Sequence, residues 1–90
     1  MRVALICRDK PGALQIRLDT RADHLEHIRA SGVVEMAGPF LNGEGQMTGS
    51  LIVLEVETVD AAHAWAAADP YAKAGLFESV TISEWKKVIG

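Results

Sequence analysis

Apolar residues recur along this chain with two periods, and each change of period marks an element boundary. Residues 2–8, RVALICR, are short, rich in strand formers and apolar on both faces, the pattern of a central strand. DKPG at 9–12 breaks the run. Across 13–31, Leu14, Leu18, Ala22, Leu25 and Ile28 recur at spacings of three and four, which predicts a helix with one apolar stripe. Thr20 and Asp23 carry the spacing of a capping box and suggest a helix restart after a loose first turn. Gly32 stops the helix. VVEMAGPF at 33–40 reads as a second strand ended by Gly38-Pro39. LNGEGQMTG at 41–49 reads as a flexible, glycine-rich connection. SLIVLEVET at 50–58 is the strongest strand signal in the chain. Thr58 or Asp60 then caps a second helix with Ala61, Trp65 and Ala68 on one face.

DPYAKAG at 69–75 reads as a capped single turn: Asp69 as N-cap, Pro70 at the first helical position, Gly75 at the end. FESVTISEWKKV at 77–88 alternates as a fourth strand. Val80 and Ile82 share one face of it, and Ser79, Thr81, Ser83 and Trp85 the other.

The order β-α-β-β-α-β predicts an α+β, ferredoxin-like antiparallel sheet with two helices on one face. Those helices cover one face only. Yet Val3, Leu5 and Cys7 oppose Ala4 and Ile6, and Leu51 and Val53 oppose Ile52, Leu54 and Val56. The exposed apolar face predicts a homodimer with sheets packed face to face, closing into a dimeric α/β barrel.

Composition narrows the class. Ninety residues make one domain, 1–90, with a thin core. A 49% hydrophobic content is high for that size and agrees with apolar surface covered by a partner. A net charge of −3 with no long basic run argues against nucleic acid. The first apolar run is too short for a signal peptide or membrane span. The single cysteine, Cys7, sits among apolar residues and reads as a buried strand position in a reducing compartment, so the expected location is cytoplasmic.

Topology then brings candidate chemistry together. With strand one running upward, the top edge collects Asp9, the first half of helix one, Gly38-Pro39, the 41–49 loop and Asp69. Arg17, Arg21, His24 and Ile28 share one helical face. His24 lies at the rim of the apolar stripe, with a carboxylate arriving from another element, which is an acid–base arrangement.

RADHLEHI on helix one, AGPF after strand two, TGSLIVLE opening strand three and AADPYAKAGLFESVTISEWKKV to the end resemble the YciI-like (YCII-related) family. The resemblance covers nearly the whole chain. It implies a dimeric α+β barrel and a His–Asp dyad, His24 with Asp69, for proton transfer or elimination on small, often hydroxylated aromatic molecules. The short 41–49 loop departs from the family and alters the pocket mouth.

Each candidate has a plainer reading. A histidine beside an apolar stripe is often structural; Asp69 caps a turn, and one oxygen is free to cap while the other faces the pocket. His27 reads as a solvated neighbour and His63 as exposed. HLEH has weak metal spacing without a third ligand, so no metal or other cofactor is expected. GEGQMTG joins two strands of a hairpin and is no nucleotide loop. Trp65 and Met36 read as core, and Tyr71 either lines the pocket or packs. The sequence thus points to His24 and Asp69 as catalytic, with Arg17, Arg21, Asp9, Gly38, Pro39 and Tyr71 as substrate contacts. The expected function is acid–base chemistry on a small molecule, dehydrohalogenase-like elimination or isomerisation. The alternative is a non-catalytic dimer binding a small ligand in the same cavity.

Overall fold

Strand formers flanked by turn residues give four strands, and two helical runs separate them. The computed structural model describes residues 1–90. The elements are β1 (Arg2–Asp9), α1 (Leu14–Ser31), β2 (Val34–Leu41), β3 (Met47–Glu55), α2 (Val59–Ala68), α3 (Pro70–Lys73) and β4 (Phe77–Trp85). The strands form one antiparallel sheet in the order β2-β3-β1-β4, with helices on one face. This is the ferredoxin-like α+β fold. No helix is long and apolar enough to cross a membrane.

Register fixes which side chains meet. Leu5 lies opposite Ile52 and Ile82, and Val3 opposite Leu54, so these residues share the helix-covered face. Val3, Leu5, Cys7, Ile52 and Leu54 pack there against Ala62 and Trp65 of α2. On the open face Ile6, Leu51, Met36 and Trp85 stay exposed, so Met36 is no core residue. Gly49 sits inside β3, where a Cβ would stand 2.3 Å from the Cys7 carbonyl oxygen. Phe40 lies opposite it, with the Arg8 guanidinium 4.3 Å from the ring centroid.

Besides α1, four segments depart from the sequence pattern. β2 runs through Gly38-Pro39 to Leu41 because it is an edge strand, where a proline gives up only an outward N–H. The connection is only five residues, 42–46, and is tied down: the Asn42 side chain accepts from Glu44 and Gln46 N–H, while Asn42 N–H donates to the Gln46 carbonyl. β4 stops at Trp85. On α2 the Thr58 cap is present, but Ala62 and Trp65 are buried while Ala61 and Ala68 are exposed.

The largest departure is α1. It is one continuous helix, with no restart at Thr20–Asp23, and it ends at Gly32 in the left-handed region (φ 68°). Amphipathicity alone would turn the leucine stripe inward. Instead Leu18 and Leu25 are exposed, and Arg17 and His24 are the helix's buried residues. At about 100° per residue, the buried line lies roughly 100° round the helix from the leucines, with Arg21 and Ile28 between the two. The polar line can go inside because each member has a partner there. Arg17 reaches Asp9 and Ser50, and His24 reaches Asp69. His27 Nε2–H donates to the Trp65 carbonyl, and Ser31 Oγ accepts from Trp65 Nε1–H. His27 is therefore half-buried against Trp65, its ring centroid 4.5 Å away, and is not a solvated neighbour.

Candidate active site

Asp69 is where two helices meet. It closes α2 with extended backbone and opens α3, with Pro70 at the first helical position and Gly75 just beyond the end in the left-handed region. This geometry holds the carboxylate still, 1% exposed, against the inner face of α1. One oxygen carries both of its bonds: Oδ1 accepts from the Tyr71 backbone N–H at 3.0 Å and from His24 Nδ1–H at 2.8 Å. Capping and the imidazole contact thus share an atom, where the sequence reading assigned them to separate oxygens; an sp² oxygen has two lone pairs for the two donors.

Donation from Nδ1 leaves Nε2 of a neutral imidazole as the acceptor. His24 is only 5% exposed, Nε2 has no hydrogen-bond partner in the protein, and no fully buried side-chain nitrogen or oxygen lacks one. Nε2 is therefore accessible, and its access is a cavity of about 110 Å³ between α1 and the β2–β3 edge. The ring is set in place by Tyr71, stacked at 3.9 Å between centroids and 16° between planes. Tyr71 also lines the cavity, and its hydroxyl lies close enough to the Arg17 guanidinium for the two side chains to interact. Burial and the nearby Asp69 charge raise the phenol above its ordinary range, against the pull of Arg17 and Arg21, so the hydroxyl is kept as a proton donor.

Arg17 forms a two-pronged pair with Asp9: Nε to Oδ2 at 2.7 Å and Nη2 to Oδ1 at 2.8 Å. Nη2 also donates to Ser50 Oγ at 3.0 Å, and the guanidinium carbon lies 4.7 Å from the Tyr71 ring centroid. Burial works to lower the Arg17 pKa, but the bonds and charge of Asp9 outweigh it and the net shift is upward. Both side chains are almost fully enclosed. This pair clamps the end of β1 to α1 and sets the guanidinium over the Tyr71 ring.

Among the sequence candidates, His24, Arg17, Arg21, Tyr71, Gly38 and Pro39 meet on this one cavity. Asp9 does not: it stands behind Arg17 and borders a separate cavity between the β1–α1 turn and the hairpin. The hairpin loop borders that second cavity too and leaves the His24 cavity uncovered; only Met47, the first residue of β3, reaches the latter. His24 and His27 face different partners, and no three His, Cys, Asp or Glu side chains converge to hold a metal. Sequence reasoning missed Ser50, Ile52, Leu25 and Met47 as wall residues. Ser50 was visible in principle as a hydroxyl in phase with Ile52 and Leu54 on an otherwise apolar strand face.

The family model of the YCII-related domain matches residues 1–86. The chain belongs to that family. It is 36% identical over 97 aligned residues to Protein YciI of Escherichia coli O6:H1, covering 98% of this chain and 99% of that protein. It superposes with a TM-score of 0.89 and 34% identity on 5-chloro-2-hydroxyhydroquinone dehydrochlorinase (TftG) of Burkholderia phenoliruptrix AC1100, solved with 2,5-dihydroxybenzoquinone, covering 96% of this chain and 94% of that one. Rv0793 from Mycobacterium tuberculosis, 15% identical with a TM-score of 0.64, shares the fold over the full length of both chains.

Proposed function

We propose that this YCII-domain protein catalyses proton transfer and elimination on a small hydroxylated ring, with His24 as acid–base and Asp69 as its orienting partner. The observation that carries this reading is the accessible Nε2, facing a cavity while Nδ1–H is held by a buried carboxylate. A dry apolar cavity of about 150 Å³ takes a benzene. A pocket of about 110 Å³ with an open rim therefore suits one ring whose substituents project at the mouth.

For a chlorinated hydroxyhydroquinone the steps balance without any redox partner. Nε2 removes a ring hydroxyl proton, leaving its electron pair on the substrate. The imidazolium returns that proton to the chlorine-bearing carbon, giving a ketone tautomer. Loss of a second hydroxyl proton to Nε2 then expels chloride with the C–Cl electron pair. The net change is loss of HCl and formation of a quinone. Asp69 stabilises each imidazolium, and the Tyr71 hydroxyl donates to a ring oxygen.

We further propose that the working form is a homodimer joined through the open sheet face, where Ile6, Leu51, Met36 and Trp85 stand exposed.

The test is chloride release from 5-chloro-2-hydroxyhydroquinone. Wild type should release chloride, and His24→Gln, with its melting temperature near wild type, should be slower by about 10²–10⁴-fold. No chloride release by wild type removes the elimination reading; equal rates remove His24 from it.

A further inference from the structure

The cavity holds two arginines, and their surroundings divide their roles. Arg17 is buried and already neutralised by a two-pronged bond to Asp9, with its remaining reach directed at Ser50 and Tyr71. Arg21, one helical turn on, also lines the cavity, yet its guanidinium makes no hydrogen bond and no ion pair, and it is exposed. It lies close enough to Tyr71 for its charge to pull the phenol pKa downward. The acidic groups of the site face elsewhere: Asp69 is tied to His24 and the Tyr71 N–H, and Asp9 to Arg17. Arg21 is thus the one cation at the mouth with its donors free, three residues from His24 along the same helix. Leu25 and Ile28 of the same helix make part of the cavity wall apolar.

We propose that Arg21, and not Arg17, selects substrates that carry or develop a negative charge, holding a ring oxyanion at the rim while the reacting edge faces His24 Nε2. This inference rests on the reading of the cavity as a ring-binding active site. It assigns the substrate class as phenolates, enolates and ionised hydroxyquinones over neutral rings. The arrangement also serves the reaction: when Nε2 takes a hydroxyl proton, the charge left on the substrate forms beside a fixed cation. Arg21 offers a forked set of N–H donors, which matches an oxyanion better than a point charge does.

The test is binding, measured by calorimetry with two probes: 2,5-dihydroxybenzoquinone, ionised at neutral pH, and hydroquinone, a neutral ring of the same size. Wild type should bind the ionised probe about tenfold or more tightly than the neutral one, with the preference falling as salt rises. Arg21→Gln should lose that preference and bind hydroquinone as wild type does; Arg21→Lys should keep part of it. Arg21 has no partners to lose, so an unchanged melting temperature is the expected control. Three results overturn the assignment: an anion preference that survives Arg21→Gln, no preference in wild type, or no binding of either probe. The readout is separate from turnover. A protein that shows the Arg21-dependent preference but releases no chloride keeps the anion site and loses the elimination reading. One that turns over with an unchanged preference in Arg21→Gln does the reverse.

Discussion

Asp69 joins backbone and chemistry through a single oxygen, and that makes its substitutions separable. Asp69→Asn keeps a good N-cap, so stability should change little. It puts an amide where a carboxylate selected the imidazole tautomer, and turnover should fall by about 10²–10⁴-fold. Asp69→Ala should also lose about 1 kcal/mol through the cap, and a further ~1–3 kcal/mol from leaving a buried His24 N–H without a partner. Urea titrations of the two variants beside their rates check both halves. Cys7 behaves as a structural thiol. Burial first, then the Asp69 charge, pushes its pKa up to about 12, from an ordinary value near 9. A folded pKa above the unfolded one means the folded state holds the proton longer. The resulting stability is complete below about pH 9 and is lost as pH rises towards about 12. Between pH 8 and pH 11 wild type should therefore lose more urea resistance than Cys7→Ala, and iodoacetamide should leave native Cys7 unmodified at pH 9.

Element boundaries were legible in the sequence wherever turn chemistry was strong. The Thr58 cap, the Asp69-Pro70 start of α3 and the Gly32 stop all appear where their residues place them. The face of α1 was not legible, because a hydrophobic stripe says nothing about polar partners on distant elements. Arg17 and His24 are buried only because Asp9, Ser50 and Asp69 converge from β1, β3 and the α2–α3 junction. Glycine spacing misled in the hairpin. Gly49 looked like loop and is a strand residue required by contact: any Cβ would meet the Cys7 carbonyl oxygen. Gly49→Ala should therefore push β3 from β1 and cost about 1–3 kcal/mol, the range for overpacking. A Gly49→Ala variant as stable as wild type would show that the strands part freely there.

For the whole molecule, the βαββαβ order and the two-faced apolar strands were readable, because alternation in antiparallel strands maps directly onto sheet faces. The sites were readable in part: topology brought His24 and Asp69 to one edge, but not the wall of the cavity, which depends on how β2 and β3 pass under α1. If the open face is the dimer interface, Leu51→Glu should yield a folded monomer in native mass spectrometry, since Leu51 is 37% exposed in the single chain. Val53, only 3% exposed, is a poorer probe because a charge there would unfold the chain itself. The central claim is narrower than any of this: His24 donates through Nδ1 to Asp69 and presents Nε2, as an acceptor, to the cavity. Long-range ¹H–¹⁵N correlation of the neutral His24 ring reads that directly. The account expects a protonated Nδ1, an unprotonated Nε2, and a shift concentrated at Nε2 when 2,5-dihydroxybenzoquinone is added. A His24 ring protonated at Nε2, or one whose signals ignore the ligand, would contradict it.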